Sequence, residues 1–311
     1  MIAQSLIYNV GLLFLMMIPG ILMTKCKLST EGLGKGLSNL VLYIAQPALI
    51  VHAYIRPYAE EVLYNALGVF LLSILSHLIF AGVAFLCYRR AEDGARKILR
   101  FATIFSNAAF MGMPLLVAVL NEEAAIYASI YSITFNLFIW SLGVILCTGD
   151  KKQASFLKIL WHPVTLSSLI GLLLFFLPID GYVPSLVMEG LVMLKSLVAP
   201  LSMIIIGLRL ANMNFRGLFR DRYLYEFLFL RLLLLPAALW GIMRLLQLCG
   251  VPLNDTVMTV ILVTGSTPAA TATSMFAERY DCDAEYAGKL VSLSTVLSVL
   301  TMPLVSMLLT I

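Results

Sequence analysis

The sequence predicts an all-α membrane protein of about ten transmembrane helices, and three observations support this fold class. Hydrophobic residues make up 61% of the 311 residues, charged residues only 12%, and the mean hydropathy is +0.96. Since a soluble domain has roughly a quarter charged residues, a water-soluble fold is excluded. The apolar residues collect in runs of about 20, the length that a helix needs to cross a bilayer. A transmembrane barrel would need shorter segments of alternating polarity, which the sequence lacks.

The apolar runs divide into two sets of five. The first set covers residues 5–24, 36–54, 63–88, 98–120 and 124–147, and the second covers 164–177, 188–211, 227–248, 256–276 and 286–310. Because each set has an odd number of spans, a duplicated unit inserts upside down the second time, as in many secondary carriers. We therefore expect two five-helix inverted repeats, residues 1–150 and 151–311, within one transmembrane unit.

The distribution of positive charge predicts the orientation of the chain. Sixteen of the 21 Lys and Arg residues lie in loops that follow odd-numbered runs, whereas Arg56 is alone in the even-numbered loops. The positive-inside rule places the odd-numbered loops in the cytoplasm and both termini on the outer side of the cell (inner) membrane. Topology thus explains the net charge of +4, and no nucleic acid partner is expected. The five cysteines have no metal-ligand spacing, and no metal site is predicted.

The fourth and ninth runs contain prolines among polar and small residues. Residues 106–114 read SNAAFMGMP, and residues 264–273 read TGSTPAATAT. Because proline removes a backbone hydrogen bond, we expect both helices to be broken, with half-helices starting near Pro114 and near Pro268. Free backbone groups at bilayer depth require protein or a wet cavity, and two helix N-termini there favour an anion. The alternative is a pair of ordinary proline kinks satisfied by Ser and Thr.

The spacing of the prolines agrees with a duplication. Pro47 and Pro200 are 153 residues apart, and Pro114 and Pro268 are 154 apart. These prolines lie in helices 2, 7, 4 and 9, which an inverted repeat makes equivalent. The spacing alone proves little, since the chain has 12 prolines.

These motifs resemble the auxin efflux carrier family, in the superfamily of bile acid and sodium symporters. The resemblance is carried by residues 107–114, by Thr267-Pro268-Ala269-Ala270-Thr271, by Gln46-Pro47 and by Ala199-Pro200. It implies that helices 4 and 9 cross at their prolines and that a small carboxylate, such as malate or malonate, binds beside the crossover. It also implies a transport domain that moves against a scaffold. Whether the protein forms a homodimer is left open.

The combined analysis predicts a substrate site and a set of coupling or gating residues. The substrate site comprises Asn107, Ala108, Gly112, Pro114, Asn136, Ser266, Thr267, Pro268 and Thr271. Gln46, Pro47, His77, Lys195 and Pro200 are the coupling or gating candidates. No cofactor is expected. The choice between H+ and Na+ as coupling ion stays open, because the spans contain almost no acid but carbonyl and hydroxyl oxygens also accept hard cations.

Several polar residues within the runs have two interpretations. His77 could relay a proton or be a hydrogen-bonded structural residue. Lys195 could face a carboxylate or extend toward the outer headgroups, and Asn136 could line the site or form a helix-helix hydrogen bond. Arg231 is expected to extend toward the cytoplasm, and His162 to be solvated at a cytoplasmic boundary.

The function predicted from these features is secondary active transport of a small organic anion by alternating access. The partners expected are the carboxylate and the lipid bilayer. A solute sensor or channel-like binding protein on the same fold is the alternative. An intramembrane enzyme is disfavoured, because the spans contain no HExxH, GxSxG or paired-aspartate motif and no loop exceeds about fifteen residues.

Overall fold

The computed structural model describes residues 2–30, 32–177, 179, 181–211 and 221–310, and their regular elements are all helical. The helices are α1 (Ser5–Lys25), α2 (Leu33–Tyr54), α3 (Glu60–Arg90), α4 (Asp93–Ile104), α5 (Ala108–Val119), α6 (Ala124–Thr148), α7 (Lys151–Leu160, a 3-10 turn followed by an α-helical turn), α8 (Pro163–Phe175), α9 (Ser185–Ala211), α10 (Arg222–Leu248), α11 (Asp255–Ser266), α12 (Ala272–Arg279) and α13 (Ala284–Leu309). The predicted loop residues Arg216 and Arg220 lie outside the described residues.

Seven helices in the described ranges are long and apolar enough to cross a membrane: α1, α2, α3, α6, α9, α10 and α13. An eighth span results if α7 and α8, which are bent by 42° relative to each other, are counted as one. The all-helical membrane fold is confirmed. The fourth and ninth apolar runs are each interrupted, by residues 105–107 between α4 and α5 and by residues 267–271 between α11 and α12. The ten-span count stays a prediction.

Three of the prolines that lie inside helices are each preceded by a π-helical turn. A π-helical turn precedes each of them by two residues: Val41–Ala45 before Pro47, Ala108–Gly112 before Pro114, and Leu230–Leu234 before Pro236. A π turn shifts the hydrogen-bond register, so the proline ring is accommodated without a chain break. Proline in this sequence therefore marks π turns as well as breaks.

The helices form two groups that also contact each other, for example through α1 with α13 and α6 with α8. In the first group α1 packs along α9, and α2 packs along α8 and α9. In the second group α3 contacts α4, α6 and α11, while α10 contacts α11 and α12 contacts α13. The two helix interruptions lie in the second group.

The backbones of α1 and α9 approach each other closely at two glycines. A Cβ atom on Gly20 would lie 2.2 Å from the Ile204 carbonyl oxygen, and one on Gly207 would lie 2.1 Å from the Met17 carbonyl oxygen. Small residues allow such close packing of membrane helices. The position of α9 against α1 is therefore fixed by backbone contact.

Replacing Gly207 with alanine is expected to destabilise the protein. The added methyl group would force α1 and α9 apart, and overpacking of this kind costs about 1–3 kcal/mol. The expected result is a lower unfolding temperature of the purified protein in detergent. Gly241→Ala in α10 is the control, since a Cβ there meets no atom within 4 Å. Equal unfolding temperatures for the two variants would contradict the close-packing argument.

Candidate functional site

The interruptions of the two broken segments pair with each other. Ser106 and Ala269 form an antiparallel bridge. The Asn107 N–H donates to the Pro268 carbonyl oxygen at 2.9 Å, and the Ala270 N–H donates to the Phe105 carbonyl oxygen at 2.9 Å. Each break thus supplies hydrogen-bond partners to the other, which is a requirement for non-helical backbone at bilayer depth.

The first break lies earlier than the sequence analysis expected. The half-helix α5 begins at Ala108, six residues before Pro114, and Pro114 lies in regular helix after the π turn. The expectation of a half-helix starting near Pro114 is therefore wrong, because the π turn absorbs that proline. In the ninth run Pro268 does lie in the break, and α12 begins at Ala272.

A cavity of about 140 Å³ lies beside the paired breaks. Its polar lining residues are Ser106, Asn107, Ser132, Asn136, His162 and Thr271. Its apolar lining residues are Leu42, Ala109, Phe110, Phe135, Ile139, Trp140, Val164, Ala270, Ala272, Met275 and Phe276. The cavity therefore receives the first residues of both half-helices, α5 and α12, and the first N–H groups of a helix have no partner within it.

Asn107 has the features of a ligand-binding residue. Its side chain is 2% exposed, and its Nδ2 atom has no hydrogen-bond partner among the described residues. Although Asn107 precedes the first residue of α5, its side chain makes no capping bond to that helix. A buried donor without a partner is costly, so a group that enters the cavity and accepts this hydrogen bond gains that energy.

Asn136 lines the cavity and also connects two helices, so both of its interpretations hold. Its Nδ2 atom lies 3.1 Å from His162 Nδ1 and 3.3 Å from Thr165 Oγ1 at the start of α8. His162 is half-buried and lines the same cavity, which corrects the expectation of a solvated histidine. Its neighbour Pro163 begins α8 and holds the ring near α6.

Six of the predicted substrate-site residues are buried but do not line the cavity: Ala108, Gly112, Pro114, Ser266, Thr267 and Pro268. The hydroxyl groups of Ser266 and Thr267 donate to carbonyls of their own helix, Val263 at 3.0 Å and Thr264 at 2.8 Å. Hydroxyl groups in membrane helices commonly bond in this way, so they do not mark the site. Asn107, Asn136 and Thr271 are the predicted residues that meet there.

The coupling and gating candidates also lie outside the cavity lining. Gln46 Nε2 donates to the Ala109 carbonyl at 2.7 Å, which ties α2 to the first turn of α5. His77 Nδ1 lies 2.7 Å from the Ser73 carbonyl, and the His77 ring stacks on Phe138. Pro47 lies within α2, and Pro200 lies within α9 after a turn at residues 196–197.

Lys195 forms part of an ion-pair network that links α2, α9 and the loop between α5 and α6. Its Nζ atom lies 2.6 Å from Glu122 Oε1, and His52 Nδ1 lies 3.1 Å from Glu122 Oε2. Arg56 Nη1 lies 2.6 Å from Glu123 Oε2 in the same loop. Lys195 therefore faces a carboxylate, but one that belongs to the protein.

Arg231 lies in the interior of the helix bundle and not at the cytoplasmic face. The expectation was a side chain that extends to the cytoplasm, but the Arg231 side chain is 0% exposed. Its Nη2 atom donates to the Thr267 carbonyl oxygen at 2.8 Å, at the end of α11. The available signal was its position inside an apolar run, since a charge within a span usually faces the bundle interior.

A second cavity, of about 630 Å³, adjoins the first and shares Leu42 and Met275 with it. Its charged lining residues are Lys35, Arg209, Glu278 and Arg279. Arg209 Nη1 donates to the Thr271 carbonyl oxygen at 3.3 Å, so its guanidinium group lies next to a residue of the first cavity. We call this second cavity the vestibule. Its lining has a net positive charge.

Long apolar helices, two paired breaks and a cavity beside them are the features expected of a multi-pass membrane transport protein. Comparison with known proteins agrees. The chain belongs to the membrane transport protein family, which it matches over residues 6–306, and the resemblance to the auxin efflux carriers is thereby confirmed. The chain is a transporter and not an enzyme.

Two archaeal proteins are similar to the chain over most of their length. An uncharacterized transporter of Methanocaldococcus jannaschii is 24% identical over 283 residues, which cover 88% of this chain and 89% of that protein. An uncharacterized transporter of Methanothermobacter thermautotrophicus is 24% identical over 277 residues, which cover 88% of each chain. Both similarities extend across the two broken segments.

Proposed function

We propose that the protein is a secondary carrier for a small organic anion, with the carboxylate bound in the cavity beside the paired breaks. The observation that carries this proposal is the meeting of three features in one cavity: the start of α5, the start of α12 and the unpaired Asn107 amide. Helix N-termini attract negative charge and offer free N–H groups. An anion satisfies all of these donors.

The lining of the cavity favours a carboxylate with an apolar body. The wall is mostly apolar and includes Phe110, Phe135, Trp140 and Phe276, while its polar groups come from the breaks, from α6 and from the residue before α8. Pockets of this kind bind their ligand through apolar contacts, and a few polar groups fix the orientation of the ligand. Malate and malonate, which the family resemblance suggests, carry a second charge that this wall does not match. We therefore expect a monocarboxylate to bind better than a dicarboxylate of similar size.

The arrangement of cavities supports alternating access. The basic vestibule provides a route from one face to the site, and its Lys35 and Arg279 lie at helix ends beside loops that the positive-inside rule places in the cytoplasm. On the opposite face the network of Lys195, His52 and Glu122 joins helices of both packing groups. This is the pattern expected of a carrier that is open to the cytoplasm and closed to the outside.

The packing pattern also supports the inverted repeat. The contacts of α1 with α9 and of α2 with α8 are equivalent under a five-span shift, and so are those of α3 with α4 and of α10 with α11. We propose that repeats 1–150 and 151–311 interleave, that the first packing group is the scaffold and the second the moving domain, and that the broken segments cross at their interruptions. We also propose that both termini lie on the outer side of the cell membrane. The homodimer stays a prediction.

Counterflow of labelled carboxylate into proteoliposomes tests the proposed function. A carrier exchanges internal unlabelled substrate for external labelled substrate, so the label accumulates transiently. A sensor on the same fold would bind the carboxylate, as seen by thermal shift, without any counterflow. A channel would let the label equilibrate without accumulation. Accumulation supports the carrier, and binding without accumulation overturns it.

The charge of the ligand is expected to decide its affinity. Because helix N-termini and an amide donor face the cavity, a carboxylate should bind at least about tenfold more tightly than its neutral amide, the ratio set by one charge-assisted hydrogen bond. Titration of the two compounds by thermal shift or calorimetry measures the ratio. Equal dissociation constants would contradict the anion site.

A further inference from the structure

Arg231 is the largest fully buried side chain in the described part of the chain. It lies in the π turn of α10, among leucines, at a depth where a charge is expensive unless it has a function. Its Cζ atom lies 5.2 Å from the centre of the Phe80 ring. The ion pairs formed by the described residues do not include Arg231. The charge of Arg231 is therefore not neutralised by a carboxylate.

The positive charge of the Arg231 guanidinium group is compensated by the helix end beside it. Its Nη2 atom donates to the carbonyl of Thr267, which caps the C-terminus of the twelve-residue helix α11. Helix C-termini carry a partial negative charge and attract cations. The Nε and Nη1 atoms have no hydrogen-bond partner among the described residues. His77 on α3 and Tyr131 on α6 are titratable groups that lie near enough to interact with Arg231 electrostatically.

The end of the other half-helix before a break is satisfied differently. The Phe105 carbonyl, which caps α4, accepts a hydrogen bond from the Ala270 N–H. Of the two helix ends at the paired breaks, the end of α11 has a charged partner and the end of α4 does not. In carriers with broken helices, such an end and the unwound carbonyls beside it are where a coupling sodium ion binds.

We propose that Arg231 is a built-in cation that takes the place of a coupling sodium ion at the end of α11. Anion binding and exchange then need no sodium. This inference rests on the proposed carrier function, and it adds that substrate transport is not coupled to sodium. A guanidinium group attached to α10 cannot leave with the substrate, so its charge stays in the protein throughout the transport cycle.

The first test is counterflow by the wild-type protein with sodium, potassium or choline as the cation at equal ionic strength. Equal initial rates are expected, whereas a sodium requirement would overturn the proposal. This arm uses the unmodified chain and so gives a result whether or not any variant folds.

The second test uses variants of Arg231. Arg231→Ala is expected to lower the exchange rate about tenfold or more, in line with the loss of a hydrogen bond to a charged group. Millimolar guanidinium should restore part of that rate, because it fits the vacated space, and a merely structural role of Arg231 would not produce this rescue. Arg231→Lys should stay sodium-independent. Arg244→Ala, on the same helix but bonded to Gln247, is the matched control and should behave as wild type.

Failure of the carrier function and failure of this inference are distinguishable by thermal unfolding. If no counterflow occurs in any salt, the carrier proposal fails, and ligand-free unfolding temperatures then decide the role of Arg231. The wild-type temperature should be the same in sodium and choline, and that of Arg231→Ala should rise with guanidinium, since a ligand that binds the folded state stabilises it. A sodium-dependent rise in the wild type, or no response in Arg231→Ala, overturns the inference.

Discussion

Asn107→Ala is expected to abolish most anion binding while leaving the fold intact. Asn107 lines the cavity, and its Nδ2 atom has no hydrogen-bond partner in the described part of the chain, so its loss removes a donor available to the substrate and no Nδ2 hydrogen bond within that part. A hydrogen bond to a charged group is worth about 1.5–3 kcal/mol, which corresponds to a roughly ten- to hundredfold weaker dissociation constant. Calorimetric titration and counterflow measure the loss, and the unfolding temperature should stay close to that of the wild type.

Asn65→Ala is the matched control for this prediction. Asn65 is also a buried amide, but its oxygen accepts from Asn254 at 2.7 Å and its nitrogen donates to the Tyr127 hydroxyl at 3.3 Å. Its removal leaves those partners unsatisfied, which costs about 1–3 kcal/mol of stability without touching the cavity. The two variants should therefore show opposite patterns of affinity and stability. An Asn107→Ala protein with normal affinity and exchange would refute the proposed site.

The fold class was predictable from the sequence because the bilayer imposes strict rules. Residues that face lipid must be apolar, and backbone groups must bond within the segment, so runs of about 20 apolar residues define helices directly. The runs at 5–24 and 286–310, for example, lie within or closely match α1 and α13. The predicted break at Pro268 was also accurate, since its carbonyl takes part in the pairing of the breaks, whereas Asn107 was predicted as a substrate-site residue and not as part of a break.

The position of the first break could not be predicted from its proline. The sequence shows Pro114 but does not show whether a π turn or a chain break accommodates it, since proline in this chain accompanies both. Asn107 was the better signal, as asparagine favours the position before the first helical residue. The break at Pro268 likewise depends on distant segments of the chain. The Arg231 guanidinium group donates to the Thr267 carbonyl, and the Asn107 N–H donates to the Pro268 carbonyl.

The roles of Arg231 and His162 were not predictable from local sequence. Leucines on both sides of Arg231 are compatible with a side chain that extends along lipid as well as with one that points into the bundle. The difference is set by the end of α11, which is 36 residues away in the chain. His162 lies at a boundary between apolar and polar sequence, and only the approach of α6 through Asn136 places it in the cavity.

Alternating access requires that contacts on the closed face break during the cycle, and the ion-pair network of Glu122 is suited to this. Glu122 is half-exposed, whereas the Lys195 side chain is 11% exposed. Exposed ion pairs contribute only about 0–1 kcal/mol each. Such weak links can hold one face closed and still open on a functional timescale. Since α2 and α9 belong to one packing group and the loop before α6 to the other, these pairs join the groups that are proposed to move.

Reversing one charge of this network is expected to open the outer face. Glu122→Lys places a third basic group beside Lys195 and His52, and like charges in contact repel where an attraction existed before. Thr271→Cys, in a chain with its five native cysteines replaced by serine, reports on the cavity. In the parent, a membrane-impermeant thiol reagent should modify this cysteine rapidly from the vestibule side and slowly from the other side. In Glu122→Lys the rate from the other side should be about tenfold higher than in the parent, the ratio that a 1.4 kcal/mol shift between two states produces.

The double variant Glu122→Lys with Lys195→Glu decides whether the interaction or the individual residue matters. The swap restores one acid and one base beside His52, so outer-side labelling should return toward the parent rate. Glu285→Lys reverses the charge of a pair within α13, with Lys289, and should not change labelling from either side. Persistent outer labelling in the double variant, or equal labelling in all variants, would mean that this network does not hold the outer face closed.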